Sequence, residues 1–296
     1  MNMLRKSLHV CRAEYLSWRK DLRISLVFVL LFAVTFTYDA PLFEYSREIS
    51  YPLSPWLLPF QLMGYTSRMM TFGCAALFFA NVFRSGKAGQ SVLIRCGYKS
   101  VLLGKILYIL SASLLYCVLY EVITLLPRIG QIYFTTGWGK FLQMWSENIA
   151  LSSGKFIPGS LYLINSASGM QMSIWSFLHM WMSVATIGLL MFLLNSGGGF
   201  LRGALMVGCL MGLDKLSTAI AFRQVYFLVW ISPLTWSNAY MVDFGTVAPE
   251  EGLVVLAKGY VDTASVVFNI VLIGLLCFLT YRSYRNGSKR EWIHLQ

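Results

Sequence analysis

Long apolar runs separated by short polar segments dominate the 296-residue chain. A helix that crosses the hydrocarbon core of a bilayer needs about 20 mostly apolar residues. By this criterion we predict six transmembrane helices, at residues 24–38, 57–83, 101–126, 172–195, 200–221 and 264–281. The pattern therefore predicts an all-α integral membrane protein, with one transmembrane domain over residues 24–296.

A further apolar stretch, at about residues 225–242, differs from these six runs. It contains the motif Ser-Pro-Leu-Thr-Trp, in which Pro233 lies in mid-run and Trp236 is the last residue. Proline removes a backbone donor and breaks a helix. The stretch also follows the fifth run with almost no loop. We therefore predict a re-entrant element just before the last span rather than a seventh crossing.

The segment before the first span, residues 1–23, has helical periodicity. Six apolar or aromatic residues recur at steps of four and three, which places them on one face of a helix. They are Leu4, Leu8, Cys11, Tyr15, Trp18 and Leu22. Cations occupy many of the other positions. We predict an interfacial amphipathic helix in the headgroup plane of an anionic leaflet; a solvated basic tail is the alternative.

Composition and charge support a membrane protein and set its orientation. Hydrophobic residues make up 57% of the chain and charged residues only 12%, whereas about a quarter of a soluble domain is charged. Sixteen of the 24 Lys and Arg lie at the two termini, in the segment at residues 84–100, at Lys105 just after it, or between the fourth and fifth spans. The positive-inside rule therefore predicts that both termini and residues 84–100 are cytoplasmic. Topology accounts for the net charge of +11, so we expect a lipid bilayer and no nucleic acid as a partner.

Motifs for catalysis on this chain are missing from the sequence. The nearest approach to a phosphate-binding loop has six residues between Gly97 and Gly104, and Ile106 where the hydroxyl residue should be. The three histidines have no metal-ligand spacing, and we expect His179 to be a hydrogen-bonded core residue. We therefore expect no enzymatic activity, no metal site and no cofactor on this chain.

Four charged residues lie well inside the predicted spans, away from the ends that hold Lys105 and Arg202, where charges are costly and usually face a partner or a watery cavity. Arg68 and Glu121 each lie 16 residues from a cation at the predicted cytoplasmic boundary, or about 24 Å along a helix. Equal depth on consecutive spans predicts an Arg68–Glu121 ion pair, which would either hold two helices together or line a substrate path. Asp214 and Lys215 are adjacent and point about 100° apart; at least one should face a dimer seam or cavity.

The order of these parts, together with two short motifs, resembles the permease subunit of ABC-2 type ABC exporters. The turn between the second and third spans has Gly86 in "RSGKAG", an apolar pair near residues 92–94 and an intact "LLGK" that ends at Lys105. "SPLTW" resembles the segment before the last span of the family. The turn departs from the family pattern at Val82, which replaces an acid, and at three further positions: Lys87, Arg95 and Tyr98.

The resemblance implies a functional role for the 84–100 turn. In such exporters this turn couples the permease to a separate ATP-binding subunit, which binds ATP and Mg²⁺. In this chain we expect coupling to involve Gly86, Lys87, Gly89, Arg95, Tyr98, Lys99 and Lys105. The permease would work as a homodimer or with a second permease in the inner membrane of a bacterial cell. An amphipathic peptide, an antibiotic or a lipid-linked molecule is the expected substrate.

Two alternatives stay open at this stage. Instead of an exporter permease, the chain would be a permease-like immunity or sensor protein that does not transport, or a stand-alone secondary transporter or channel. A secondary transporter would need coupling-ion ligands near the midplane, often at broken helices in both halves of an internal repeat. The sequence predicts one break and contains no evident repeat.

Overall fold

The computed structural model describes residues 3–82, 96–147, 164–165, 167–195, 200–221, 232–239 and 261–293. These residues form α-helices and short 3₁₀ segments, and they include no β-strand. We number the described α-helices α1 (Met3–Ser17), α2 (Leu22–Glu48), α3 (Leu58–Met63), α4 (Tyr65–Phe79), α5 (Tyr98–Leu125), α6 (Gly139–Glu147), α7 (Gly169–Asn195), α8 (Phe200–Ala221) and α9 (Val261–Ile293).

Four of these helices are long and apolar enough to cross a membrane. They are α2, α5, α7 and the part of α9 from Ala264 to Ser283. The predicted all-helical class is therefore confirmed for the described residues, and four of the six predicted spans coincide with helices that are long and apolar enough to cross a membrane.

The first span is longer than predicted. Instead of ending near residue 38, α2 continues through Pro41 to Glu48, so half of the expected outer loop is helical. The extension buries Tyr38, Leu42 and Phe43, and this tertiary packing offsets the helix-breaking tendency of a proline.

The second predicted span is not one helix. Gly64 has an extended backbone with ψ at 120° and separates α3 from α4. At 15 residues, α4 is about 22 Å long. A side chain at residue 64 would collide with Tyr38, because a Cβ there would lie 2.0 Å from the Tyr38 hydroxyl. The predicted continuous helix over residues 57–83 is therefore wrong, and the break is a close-packing point between α2 and α4.

The fifth predicted span coincides with α8, but α8 is not among the four helices that meet the criteria for a span. It carries Arg202, Asp214 and Lys215 within its 22 residues. Of the predicted re-entrant element, residues 232–239 are described and are all buried. Residues 225–231 and 240–242, and residues 84–95 of the predicted coupling turn, lie outside the described residues.

Helix α7 is the centre of the bundle. It contacts α3, α4, α5, α8, α9 and the 3₁₀ segment Thr235–Ser237. Glycine permits a close contact here: a Cβ on Gly188 would lie 2.7 Å from Ile109 Cγ2 on α5 and 3.1 Å from the Phe79 ring on α4. Helix association in lipid depends on such close approach, since lipid and apolar side chains are equally hydrophobic.

A second, smaller core lies at the opposite end of the bundle from α1. It is rich in aromatic residues and joins the extension of α2 to α3 and α6. Trp138 stacks edge-on against Phe60 at 5.2 Å, and Tyr45 does the same against Trp145 at 5.4 Å. The indole of Trp138 donates to the Ala167 carbonyl at 2.7 Å. This aromatic layer, defined by Tyr45, Phe60, Trp138, Phe141 and Trp145, fixes the loop ends next to α7.

Gly188 provides a test of the central packing, with Gly208 as its matched control. No atom lies within 4 Å of a Cβ built on Gly208. Gly208→Ala should be neutral or stabilising by up to about 1 kcal/mol, because alanine favours helices. Gly188→Ala should instead destabilise by about 1–3 kcal/mol through overpacking. Thermal unfolding of the detergent-purified protein measures both; equal effects would contradict this packing.

Candidate functional site

A buried ion pair lies between α4 and α8. The guanidinium of Arg68 binds the Asp214 carboxylate through two bonds, Nε to Oδ2 at 2.9 Å and Nη2 to Oδ1 at 3.1 Å. Both side chains are almost fully buried, at 0% and 2% exposure. Bidentate arginine–carboxylate pairs are the strongest of the common ion pairs, and lipid around the bundle would make either charge alone very costly.

The break at Gly64 supplies two further acceptors to Arg68. The last carbonyls of a helix have no partner within the helix itself. Arg68 Nη1 donates to the carbonyls of Leu62 at 2.7 Å and Met63 at 3.3 Å. The arginine therefore closes the end of α3 and pairs with α8 at the same time, so every part of its guanidinium is engaged.

The ion pair also holds residues 232–239, the described part of the predicted re-entrant element. Thr235 Oγ1 donates to Asp214 Oδ1 at 2.8 Å, and Ser183 Oγ on α7 donates to the Pro233 carbonyl at 3.0 Å. Trp236 is buried and lies 6.1 Å from the Phe268 ring on α9. Both residues predicted for this element, Pro233 and Trp236, are thus enclosed by the bundle. Backbone outside a regular helix is tolerated at membrane depth only where protein or water surrounds it.

The predicted pair of Arg68 with Glu121 is wrong, since Arg68 binds Asp214. Within the described residues no salt bridge includes Glu121. Asp214 lies at a similar depth, because it is 14 residues, or about 21 Å, from the start of α8. The depth of a residue in the membrane does not determine which side of its helix faces a neighbouring helix. The neighbouring Lys215 is exposed, and its Nζ lies 4.2 Å from the Tyr65 ring centroid.

A second polar cluster lies at the other end of the bundle, at the base of α5. Lys105 Nζ donates to the Val82 carbonyl at 2.7 Å and lies 3.6 Å from Glu14 Oε1 on α1. Val82 is the last described residue before the predicted coupling turn, and Lys105 follows that turn. The "LLGK" lysine therefore joins the segments on both sides of the turn to α1.

Close packing of α1 on α5 accompanies this cluster. A Cβ on Gly104 would lie 2.6 Å from the Ser7 carbonyl and 2.7 Å from Val10 Cβ. Trp18 Nε1 donates to Tyr108 Oη at 2.9 Å, and Tyr15 Oη donates to Ser111 Oγ at 2.8 Å. Tyr15 and Trp18 of the predicted apolar stripe thus face α5.

Three other residues of the predicted stripe point elsewhere. Leu4, Leu8 and Leu22 are exposed, at 62%, 53% and 85%, and Ser7 and Val10 form the packed face instead. The periodicity of apolar residues did not predict this orientation of α1 about its axis. It treats every apolar position as equal, and it does not take Gly104 on the partner helix into account.

The junction of α1 and α2 is attached to the same base. Asp21 caps α2, accepting from the Arg23 backbone at 3.2 Å, and it also accepts from Asn81 Nδ2 at 3.4 Å. Hydrogen bonds from Arg23 lower the pKa of Asp21 below its ordinary value. The carboxylate therefore stays ionised, and its contribution to stability is lost only as the pH falls through that lowered value.

The other predicted coupling residues are partly described. Lys99 is exposed and Tyr98 is half-buried at the start of α5. Gly86, Lys87, Gly89 and Arg95 lie outside the described residues. Asp21, Asn81 and Glu14, which sequence reasoning missed, lie beside the end of the segment that enters the turn.

His179 is a buried polar residue, as predicted. Its ring lies between Ser265 Oγ at 3.3 Å and Asn269 Nδ2 at 3.4 Å, both on α9. The Trp175 ring lies 4.0 Å away.

Comparisons of the chain with protein-family models, curated proteins and solved structures returned no match.

The ion pair makes a direct mutational prediction. Asp214→Asn should lower the stability of the purified protein by about 3–5 kcal/mol, because it leaves a buried arginine unpaired. Glu121→Gln, the matched control at equal depth, should have little effect. The double change Arg68→Met with Asp214→Leu should cost less than Asp214→Asn alone, since it removes both charges. A Glu121→Gln loss as large as that of Asp214→Asn in thermal unfolding would contradict the pairing.

Proposed function

We propose that this chain is the membrane-spanning permease subunit of an ATP-driven exporter of the ABC-2 type. It would form the substrate path as a dimer, with a second copy or a second permease. A separate subunit would bind ATP and Mg²⁺ and act on the 84–100 turn. The membrane would be the inner membrane of a bacterial cell, with both termini cytoplasmic.

The observation that carries this proposal is the contact of Lys105 with the Val82 carbonyl. A force applied to a turn moves two helices together only if their bases are joined. Lys105 connects the segments on the two sides of the turn, and its ion pair with Glu14 connects both of them to α1. The proposal therefore gives the lysine of "LLGK" a mechanical role, as a residue that holds the base of α5 to the preceding segment.

The ion pair at the far end completes the mechanical argument. A movement of α4 would reach α8 and residues 232–239 through Arg68, Asp214 and Thr235. Those elements stand next to α9, whose outward face is apolar and exposed at Val267, Val271 and Leu275. This face is available to lipid or to a second permease. An amphipathic peptide, an antibiotic or a lipid-linked molecule remains the proposed cargo.

One observation favours a second candidate, a stand-alone secondary transporter. Discontinuous helices near the midplane commonly build the substrate sites of such proteins, and the break at Gly64 is one. However, Arg68 already binds the freed carbonyls of Leu62 and Met63, which leaves fewer acceptors there for a coupling ion. The exporter is therefore preferred.

Purification from the native host tests the proposal. The tagged full-length chain should co-purify with a partner that carries a phosphate-binding loop, and deletion of residues 87–98 should abolish that association. Ser91→Cys should be labelled by an impermeant maleimide in inside-out vesicles and remain unlabelled in intact cells. Labelling from outside, or transport by the purified chain without partner and nucleotide, would overturn the proposal and favour the second candidate.

Coupling itself is tested by Lys105→Gln, with Arg12→Gln as the matched loss of one exposed cation on α1. We expect Lys105→Gln to keep the partner bound but to reduce ATP-driven transport strongly, because the two sides of the turn are no longer joined. Arg12→Gln should transport normally. Equal transport by both variants, at equal amounts of assembled complex, would contradict the role of Lys105.

A further inference from the structure

A track of polar side chains runs along one face of the central helix. Ser173, Ser176, His179, Ser183 and Thr186 follow one another at steps of three and four, which places them on one side of α7. From Ser173 to Thr186 the helix rises by 13 residue steps, or about 20 Å. All five are buried, four of them at 1% exposure or less, in a helix whose other buried positions are mostly apolar.

Facing segments add polar groups to this track. Ser265 and Asn269 on α9 approach the two ring nitrogens of His179. Near Ser183, the Pro233 carbonyl accepts a hydrogen bond, and Ser232 precedes it. The track therefore lies in the seam between α7, α9 and residues 232–239.

Several oxygens along this seam lack a hydrogen-bond partner among the described residues. They are Ser173 Oγ, Ser176 Oγ, Thr186 Oγ1, Ser232 Oγ and Asn269 Oδ1. Buried polar atoms in folded proteins are almost always satisfied, by protein or by ordered water. An unsatisfied hydroxyl would be especially costly in a bundle surrounded by lipid.

The chemistry of the seam indicates the kind of ligand. Hydroxyl groups both donate and accept, the amide oxygen accepts, and a neutral imidazole does one of each. None of the seven named side chains other than His179 is ionisable, so the seam offers no carboxylate for a cation and no fixed cation for an anion. A neutral ligand that donates and accepts equally fits this set.

We propose that the seam binds a chain of ordered water molecules, which runs from the Ser173 end of α7 to Thr186 near the middle of the bundle. Each buried water typically makes about three hydrogen bonds to polar groups, and five unpartnered oxygens spread over this length provide for several. Water in this position would give His179 a hydrogen-bonded connection to the end of the bundle. The inference does not depend on the exporter proposal.

X-ray radiolytic footprinting of the full-length protein in H₂¹⁸O tests this directly, because hydroxyl radicals form from bound water in place. Trp175 and His179 should take up labelled oxygen despite their burial. Met180 and Met191 are matched internal controls: they lie on the same helix at 0% exposure, in the apolar core. They should stay unlabelled, although methionine sulfur oxidises readily. Label on the methionines equal to that on His179, or no label on Trp175 and His179, would overturn the proposal.

A second measurement uses the sign of a stability change. Thr186→Val and Ser176→Ala remove hydroxyls with little change in shape. If the seam is dry, removing an unsatisfied buried hydroxyl should raise the melting temperature. If water binds there, both changes should lower it and reduce ¹⁸O uptake at His179. A rise in melting temperature for both variants would overturn the proposal even if the footprint is ambiguous.

Discussion

The need to neutralise Arg68 inside a lipid-embedded bundle organises one half of this protein. A guanidinium at that depth has five N–H donors and a charge that cannot be removed. The chain supplies a carboxylate from α8 and the last two carbonyls of α3, which are free only because the helix breaks at Gly64. Thr235 then binds the same carboxylate. Arg68 thereby stabilises the helix break, the orientation of α8 about its axis and the position of residues 232–239.

The other half depends on a different cation. Lys105 is partly buried where α1, α5 and the end of the α4 segment meet, and its ammonium has a backbone carbonyl and a carboxylate as partners. Gly104 directly before it allows α1 to approach α5 at backbone distance. The two adjacent residues act as a unit: the glycine permits the contact and the lysine holds it.

The sequence predicted what depends on local composition. The bounds of α5 and α7 agree with the predicted spans to within three residues at each end, since an uninterrupted apolar run determines them. The break at Gly64 was missed because glycine is common within transmembrane helices, and only the approach of Tyr38 makes this one a break. Similarly, the first predicted span ends at residue 38, yet the packing of Leu42 and Phe43 keeps α2 helical through Pro41 to Glu48. The partner of Arg68 lies 146 positions away, and neither depth nor spacing fixes the rotation of α8.

The length of α2 has a consequence for the membrane in which this protein resides. Its 27 residues make a rod of about 40 Å, whereas the hydrocarbon layer of a bilayer is about 30 Å thick. If α2 lay parallel to the membrane normal, its end would extend about 10 Å beyond the acyl chains. It would then reach the headgroups, where indole and phenol rings are most stable. The aromatic layer packs on that protruding end as a buried core, with Phe60, Trp138 and Phe141 at 3% exposure or less, so it would lie at the depth of the headgroups. In a thicker membrane this end of the bundle would lie among acyl chains instead, and the hydrophobic mismatch would act on α2 and on the helices packed against it.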